Sequence, residues 1–398
     1  MLGSSIVTPV LPLYARDFGV SYAGAGLLIS AFAVGRLLFD YAGGLLADRF
    51  GARRLATAGA LVVALSAYLS ALAPDFRTLV GFRVLEGIGS AIYVTTAMAL
   101  LGRTVDAARM GQAMGFYQSL ILLGVSFGPT IGGVVAEVTG DRRAPFLMMS
   151  AVGVGVAVLS FAVLPRSDRG PATERAPRPP LASVVRLARQ PAFAFALLLT
   201  FFVFAVRAGL RVNLIPLFGE ERGGLGEAAI GIVLSASAFA NFAVLWHAGA
   251  LIDRLGRRAV ALPTLAATAA VCAAHAWSPS FGNLLVQGAL LGAVLGYLAP
   301  APAAMVADLT PREMMGAVMG VYRMGGDLGL LLGPISLGAI ASAAGFEAAF
   351  LAAAAAAVLT LVAGLAVPET LASVAEHGSV AIGSAQLAQA EADRGHAP

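Results

Sequence analysis

The feature that most constrains this chain is a series of apolar segments, each long enough to cross a membrane. A helix needs about 20 apolar residues to span the hydrocarbon layer of a bilayer. Such segments recur along the sequence, and only 12% of the residues are charged, so a soluble domain is excluded. The sequence predicts an all-α integral membrane protein with twelve transmembrane helices, here called spans 1 to 12, at 1–15, 22–46, 55–73, 78–100, 112–137, 144–164, 191–218, 228–251, 259–277, 281–307, 316–343 and 347–367.

The distribution of arginine predicts the orientation of these spans. All 26 basic residues are arginine. If both termini are cytoplasmic, sixteen arginines fall in cytoplasmic loops or the tail and five in outer loops. This bias follows the positive-inside rule and predicts a multi-pass protein of the plasma (inner) membrane of a bacterium. It also explains the basic net charge without nucleic-acid binding.

The chain repeats itself at an offset of 205 residues. The matching positions are Gly44 and Gly249, Asp48 and Asp253, Arg49 and Arg254, Gly51 and Gly256, Arg53 and Arg258, Gly115 and Gly320, Gly124 and Gly329, Gly128 and Gly333, and Pro129 and Pro334. The repeat predicts two six-helix bundles at 1–164 and 191–367, a polar cytoplasmic linker at 165–190 and a polar cytoplasmic tail at 368–398. Parallel halves of this kind place a substrate site between them, near the middle of the membrane.

Span 1 is shorter than its counterpart in the repeat. The sequence LPLY at 11–14 matches IPLF at 215–218, with an offset of 204. Span 7 begins well before IPLF, whereas few residues precede LPLY. We therefore expect the first helix to be truncated at its N-terminus.

The chain contains the motifs GLLADRFGARR at 44–54, RVLEGIG at 83–89 and GFYQSLILLGVSFGPTIGG at 115–133. They resemble motifs of the major facilitator superfamily, specifically its twelve-helix drug:proton antiporter branch. The first matches the signature between spans 2 and 3, and the second matches the span 4 signature. The third matches the span 5 antiporter signature, which the family associates with exporters. The resemblance covers almost the whole chain and implies a transporter.

The first motif supplies a turn and a set of charges. Gly51 permits a tight turn between spans 2 and 3. The resemblance implies that Asp48 contacts span 11 and that the loop acts as a latch. The alternative is a positively charged cytoplasmic loop with no gating role. The predicted latch set is Gly44, Asp48, Arg49, Gly51 and Arg53, with Asp253 and Arg254 in the repeat.

The span 5 motif predicts close helix packing. Gly124, Gly128 and Gly132 recur every four residues and share one helical face, where another helix can approach closely. Pro129 removes a backbone hydrogen bond and bends the span. We expect this face to form a smooth interface between the halves. The complete motif set is Gly115, Gly124, Gly128, Pro129, Gly132 and Gly133.

Charged residues within spans are costly and usually functional. Arg83 and Glu86, three residues apart in span 4, are predicted as a proton-coupling pair; a purely structural pair is the alternative. Asp308 and Glu137 lie near span ends and are expected to be solvated.

A second group of charges predicts a gate. Arg36 and Asp40 lie in span 2, and Arg323 and Asp327 lie in span 11. The two helices are antiparallel neighbours in the family that the motifs resemble, so Arg36 faces Asp327 and Asp40 faces Arg323. We expect two salt bridges between the halves. The alternative is that each pair closes on its own helix, which the spacing permits.

Span 7 carries candidate substrate-binding residues, namely Arg207, Arg211 and Asn213. The two arginines share a face and are suited to an anionic substrate. The alternative is that Arg211 extends to the membrane surface and Arg207 pairs with an acid such as Glu86.

Together these features favour a secondary active exporter that exchanges protons for a small hydrophobic or amphipathic compound by alternating access. The alternatives are an uptake carrier for a small metabolite or organic anion, and a membrane sensor that no longer transports. No enzyme, cofactor or metal site is expected, since the chain has no lysine-containing phosphate loop and its four histidines are scattered. The expected partners are the substrate, protons and the lipid bilayer, and the protein is expected to be monomeric.

Overall fold

The structure is a computed structural model that describes residues 2–105, 109–164, 186–187, 189–277, 279–311 and 314–371. Within its helices, the side chains of 40–50, 102–103, 110–111, 114 and 316–317 lie outside the description. Most of the predicted linker and the tail from 372 onward also lie outside it, so the predicted domain boundaries stay predictions.

The described elements are helices. Span 1 is divided into Leu2–Ile6 and Leu11–Asp17, and span 10 into Phe281–Leu298 and Pro300–Leu309. The others, in chain order, are Tyr22–Phe50, Ala52–Ala71, Phe76–Thr104, Met110–Thr139, Ala144–Val163, Pro191–Ala205, Val206–Leu214, Ile215–Glu221, Glu227–Leu255, Arg257–Ala274, His275–Trp277 and Met315–Leu365.

Ten helical segments of the described chain are long and apolar enough to cross a membrane. One of them, Val318–Leu365, covers both span 11 and span 12. Its backbone is non-helical at Gly345, and this residue divides the two spans. The helices of span 1 are too short to be counted by length. The described helices fit the predicted fold, and the full count of twelve crossings stays a prediction.

Glycine permits two tight turns at equivalent positions of the repeat. Gly51, between spans 2 and 3, has a φ of 83°, and Gly256, between spans 8 and 9, has a φ of 106°. Residues with side chains rarely adopt this region of backbone space. The predicted tight turn at Gly51 is present, and the repeat extends it to Gly256.

The two halves meet along two pairs of spans. Span 2 packs against span 11, and span 5 packs against span 8. Within the halves, span 5 packs against span 1, and span 11 packs against span 7. The 205-residue repeat is therefore visible in three dimensions as a repeated pattern of helix neighbours.

Span 7 departs from the regular helix that its sequence predicts. Nine residues in its middle, Val206–Leu214, form a π-helix between the α-helical stretches Pro191–Ala205 and Ile215–Glu221. Such segments are rare, weaken the regular hydrogen-bond ladder and occur frequently at functional sites. This one contains Arg207, Arg211 and Asn213.

Candidate functional site

The interface between the halves consists of two equivalent helix crossings. In one, Gly26 of span 2 lies against the carbonyl group of Pro334 in span 11. In the other, Gly231 of span 8 lies against the carbonyl group of Pro129 in span 5. Each residue of the first pair matches one of the second at the 205-residue offset. At both glycines an added Cβ atom would overlap the carbonyl oxygen, so the backbones meet without room for a side chain.

Serine hydroxyls support the same two crossings. Ser30 donates a hydrogen bond to the carbonyl oxygen of Leu331, at 2.5 Å. Its repeat counterpart, Ser235, accepts a hydrogen bond from the backbone N–H of Thr130 at 3.0 Å. Its hydroxyl also lies 2.7 Å from that of Thr130. These contacts place small polar groups where the backbones of the two halves touch.

The glycine face of the span 5 motif has a different neighbour from the one predicted. Gly124, Gly128 and Gly132 contact Leu2, Ser5 and Ile6 of span 1, respectively. Their expected role at the interface between halves is therefore wrong. They pack two helices of the same half, because the face that meets span 8 is offset around the helix.

Two residues of the motif, Pro129 and Gly133, do lie at the interface between the halves. Gly133 contacts Glu227 and Ala228 at the start of span 8. Gly115, the first residue of the motif, has open surroundings in the described part of the chain, where a Cβ atom added to it would have no heavy atom within 4 Å. The motif thus serves two interfaces, only one of which joins the halves.

An ion cluster around Arg142 joins the halves at one end of the bundle, here called the Arg142 end. Arg142 lies between spans 5 and 6. Its Nη1 is 2.7 Å from Asp17 Oδ1, and its Nε is 2.9 Å from Glu227 Oε1. Its Nη2 pairs with Glu220. Because Glu220 and Glu227 belong to the second half, one guanidinium binds carboxylates from both halves.

Glu137 strengthens the Arg142 end. Its Oε2 accepts a hydrogen bond of 2.9 Å from the backbone N–H of Ala228, in the first turn of span 8. Glu137 is exposed, as expected for a residue near a span end, and its carboxylate also binds the N–H groups that a helix start leaves without a partner. The sequence places Arg142 in an outer loop but does not predict its contacts with carboxylates of both halves. Its position beside two span ends was the available signal.

The charge of Arg142 is stable in this setting. Partial burial alone would lower its pKa, but hydrogen bonds to Glu227 and Glu220 and the charge of Asp17 raise the pKa above its ordinary value. The guanidinium therefore stays charged at physiological pH. Arg142 neutralises part of an acidic cluster that would otherwise push the halves apart.

Replacing Arg142 with glutamine is expected to open the Arg142 end. Charged hydrogen bonds at a partly exposed site are worth about 1–2 kcal/mol in total, so the open population should rise about 5- to 30-fold. Since Cys272 is the only cysteine, a Cys272→Ala background permits labelling of Ala136→Cys, which lies buried beside the cluster. Labelling by a membrane-impermeant maleimide should accelerate by that factor.

Arg77→Gln is the matched control, because Arg77 is an exposed arginine in the first turn of the helix Phe76–Thr104. It should leave the labelling rate unchanged. Unchanged labelling in the Arg142→Gln protein as well would show that the cluster does not hold this end closed.

The predicted contact between Arg36 and Asp327 is present. Arg36 Nη2 lies 3.9 Å from Asp327 Oδ1, and both side chains are largely buried. The antiparallel register of spans 2 and 11 is therefore the one expected. The second predicted contact joins Asp40 and Arg323. It stays a prediction, because the side chain of Asp40 is not among those that the structure describes.

The predicted latch is only partly described. The backbone of Gly44, Asp48 and Arg49 belongs to the helix Tyr22–Phe50, but their side chains lie outside the description. Arg53 stacks on the ring of Phe161, with 4.2 Å from its guanidinium carbon to the ring centroid. The role of this loop as a latch stays a prediction.

In the second half, the corresponding loop is held by ion pairs within the same half. Arg257 Nε is 2.8 Å from Asp308 Oδ2, and Arg257 Nη1 is 3.4 Å from Asp253 Oδ1. Asp308 is therefore paired, and the expectation that it is solvated is wrong. Arg254 is exposed.

The start of the predicted tail is also bound to this loop. The carboxylate of Glu369 accepts backbone hydrogen bonds of 2.8 Å from Arg257, 3.0 Å from Arg258 and 3.2 Å from Ala259. These N–H groups belong to the first turn of span 9, where a helix offers them no partner of its own. The chain after span 12 is thus anchored at least as far as Glu369.

Arg83 and Glu86 form an isolated ion pair inside span 4. Arg83 Nη1 donates to Glu86 Oε2, and the Glu86 side chain is completely buried. The Arg83 guanidinium carbon lies 5.4 Å from the ring centroid of Phe32 in span 2. Among the described residues, the second carboxylate oxygen of Glu86 and Nε of Arg83 have no hydrogen-bond partner. The pair is therefore sealed from solvent and incompletely satisfied.

Asn213 is separate from the two arginines of span 7. Its Nδ2 donates a hydrogen bond of 3.2 Å to the carbonyl oxygen of Pro334, and it is fully buried against span 11. Arg211 is also buried, so the alternative in which it extends to the membrane surface is wrong. Glu86 pairs with Arg83 and not with Arg207.

The fold and the charged interface between two repeated helical halves define a multi-pass membrane transporter. The family model described as Major Facilitator Superfamily matches residues 1–244 and 200–381. The chain therefore belongs to the major facilitator superfamily, whose members move small molecules across membranes and are not enzymes.

Two relatives are named as drug-resistance proteins. The chain is 26% identical over 354 residues to the multi-drug resistance efflux pump PmrA of Streptococcus pneumoniae, covering 87% of each chain. It is 29% identical over 163 residues to the quinolone resistance protein NorA of Staphylococcus aureus, covering 41% of this chain and 42% of NorA. The resemblance to the drug-efflux branch of the superfamily is thereby confirmed.

Solved structures share the fold at lower identity. A bacterial homologue of the human lysosomal transporter Spinster, inward-facing and occupied, superposes with a TM-score of 0.77 and 18% identity, covering 92% of both chains. A mutant of the nucleoside transporter NupG gives a TM-score of 0.76 and 13% identity, covering 92% of this chain and 96% of that one. The predicted fold class is confirmed.

Proposed function

We propose that this protein exports small hydrophobic or amphipathic compounds in exchange for protons. The efflux direction is supported by its similarity to PmrA along most of both chains. The observation that carries the proton exchange is the Arg83–Glu86 pair, because it is the kind of buried acid that marks a proton site in a membrane. The proposed location is the inner membrane of a bacterium, with both termini cytoplasmic.

The chemistry of the pair suits proton exchange. When Glu86 is ionised, it neutralises Arg83 within span 4. When Glu86 is protonated, Arg83 loses its counter-charge in an apolar setting, which is costly and favours a rearrangement of the helix. Proton binding is thereby linked to a change of conformation.

Alternating access is supported by contacts at different depths of the interface. The Arg142 cluster joins the halves at the end predicted to face outward. Arg36 and Asp327 join them closer to the predicted cytoplasmic end. We propose that these contacts break and reform as the halves rotate about the two glycine crossings.

Gradient-driven transport tests the proposed function. Everted membrane vesicles with an acidic interior should accumulate amphipathic fluorescent dyes from a panel of neutral, cationic and anionic compounds. A protonophore should abolish the accumulation. Accumulation that survives the protonophore would contradict proton exchange. An uptake carrier, the alternative, would instead accumulate its substrate in right-side-out vesicles.

A charge exchange tests Arg36 and Asp327 as a gate. Arg36→Asp and Asp327→Arg each place like charges together, and we expect each to slow transport about fivefold, since a partly buried pair contributes ~1 kcal/mol. The double exchange restores opposite charges and should recover transport. The same exchange at Asp40 and Arg323 tests the second predicted pair. A double variant as slow as the single ones would contradict the gate.

A further inference from the structure

Two arginines in the middle of span 7 carry charge that the described part of the protein does not neutralise. Arg207 and Arg211 lie in the π-helical segment Val206–Leu214. Arg211 is 5% exposed, and its Nε has no hydrogen-bond partner. Within the described side chains, neither arginine forms an ion pair or a hydrogen bond. Charges at this depth normally have a partner of opposite sign.

The two arginines are offset around span 7 from the residues that pack on span 11. Gly209 packs against Gly333, and Asn213 donates to Pro334, so these two residues mark the face toward span 11. Arg207 and Arg211 each lie two residues from Gly209, about half a helical turn away. They lie four residues apart on one face of the segment, so two like charges stand on the same side of the span.

The internal repeat shows that the fold does not require these charges. At the offset of 204 that relates span 1 to span 7, Arg207 corresponds to Gly3 and Arg211 to Val7. The same offset pairs Ser5 with Gly209. Ser5 contacts Gly128 of span 5, Gly209 contacts Gly333 of span 11, and these two glycines match in the repeat. Because the first half packs its span with glycine and valine, the arginines serve something other than packing.

We propose that Arg207 and Arg211 bind the acidic group of the transported compound, so that the substrate is an amphipathic organic acid with a carboxylate or similar anion. This inference rests on the proposed transport function and names its substrate class. An anion between the two guanidiniums removes their mutual repulsion and fills their unused hydrogen-bonding capacity. The π-helical segment that carries both arginines is of a kind that occurs frequently at functional sites.

Direct binding tests this site without a proton gradient. The probes are naphthalene-2-carboxylate and its neutral counterpart, naphthalene-2-carboxamide, with the full-length protein in nanodiscs of zwitterionic phosphatidylcholine. We expect the carboxylate to bind about tenfold or more tightly than the carboxamide. Arg207→Gln and Arg211→Gln should each remove that advantage and leave carboxamide binding unchanged. Equal affinities of the two probes in the natural protein would overturn the proposal.

Control variants separate charge from folding. Arg222→Gln removes an exposed arginine just beyond the same span and should preserve carboxylate binding. Arg207→Lys and Arg211→Lys retain the charge and should retain part of the preference. If the glutamine variants do not fold, the relative affinity of the natural protein for the carboxylate and the carboxamide still tests whether the site prefers an anion. Loss of carboxylate binding when phosphatidylglycerol is added would show that the two arginines bind a lipid headgroup, and it would overturn the proposal of an acidic substrate.

The outcome is distinguishable from failure of the proposed function. A protein that binds the carboxylate but shows no proton-driven transport would contradict the exporter alone. A protein that exports cationic dyes but does not prefer the carboxylate would contradict the acidic substrate alone.

Discussion

Valine at Gly231 is expected to slow transport strongly while leaving a folded protein in the membrane. The first added carbon would overlap the carbonyl oxygen of Pro129 and lie 3.1 Å from its carbonyl carbon and 3.2 Å from Cα of Thr130. These are backbone atoms of a packed helix and cannot rotate away. Relief requires spans 5 and 8 to separate.

The size of the effect follows from the cost of overpacking. Extra atoms in a well-packed contact cost about 1–3 kcal/mol, which corresponds to a shift of about 5- to 150-fold between two conformations. The conformation closed at the Arg142 end should become rare, and proton-driven dye transport should fall by the same order. Gly26→Val is expected to act alike, because it meets Pro334 at the equivalent crossing.

A glycine with open surroundings supplies the control. Gly155 in span 6 has no heavy atom within 4 Å of an added Cβ, so Gly155→Val should transport normally. Gly115→Ala should also be tolerated, although Gly115 belongs to the same motif as Pro129. Normal transport by Gly231→Val, or equal loss in Gly155→Val, would show that closure at this crossing is not needed.

The sequence predicted contacts that depend on spacing along a helix or on the repeat. The pairing of Arg83 with Glu86 follows from three-residue spacing, and Arg36 meets Asp327 because two antiparallel helices place opposite signs at one depth. The turn at Gly51 follows from a local backbone requirement. Each of these depends on a regularity that the sequence contains.

The sequence could not predict contacts that depend on how a helix is rotated in the bundle. The stripe at Gly124, Gly128 and Gly132 indicates a close neighbour but not which one, and span 1 rather than span 8 occupies it. Arg142 meets carboxylates that lie far from it in the chain, and only the assembled halves bring them together. The π-helix of span 7 has no strong sequence signature, because it differs from an α-helix only in its hydrogen-bond register.

Replacing Glu86 with glutamine is expected to separate substrate movement from proton movement. The two side chains have the same shape, but glutamine cannot take up or release a proton. Accumulation of dye driven by a proton gradient should be lost in everted vesicles. Exchange of labelled for unlabelled dye across the membrane requires no net proton movement, and it should continue.

The stability of this variant needs a matched comparison. Removing one partner of a buried ion pair costs about 3–5 kcal/mol, because the other charge is left without compensation. The double variant Arg83→Gln/Glu86→Gln leaves no charge behind, so it should fold normally and lack gradient-driven transport. Glu347→Gln, which neutralises a half-exposed acid between spans 11 and 12, should keep both activities. Gradient-driven accumulation by a well-folded double variant would place the proton site elsewhere and leave Arg83 and Glu86 with a structural role.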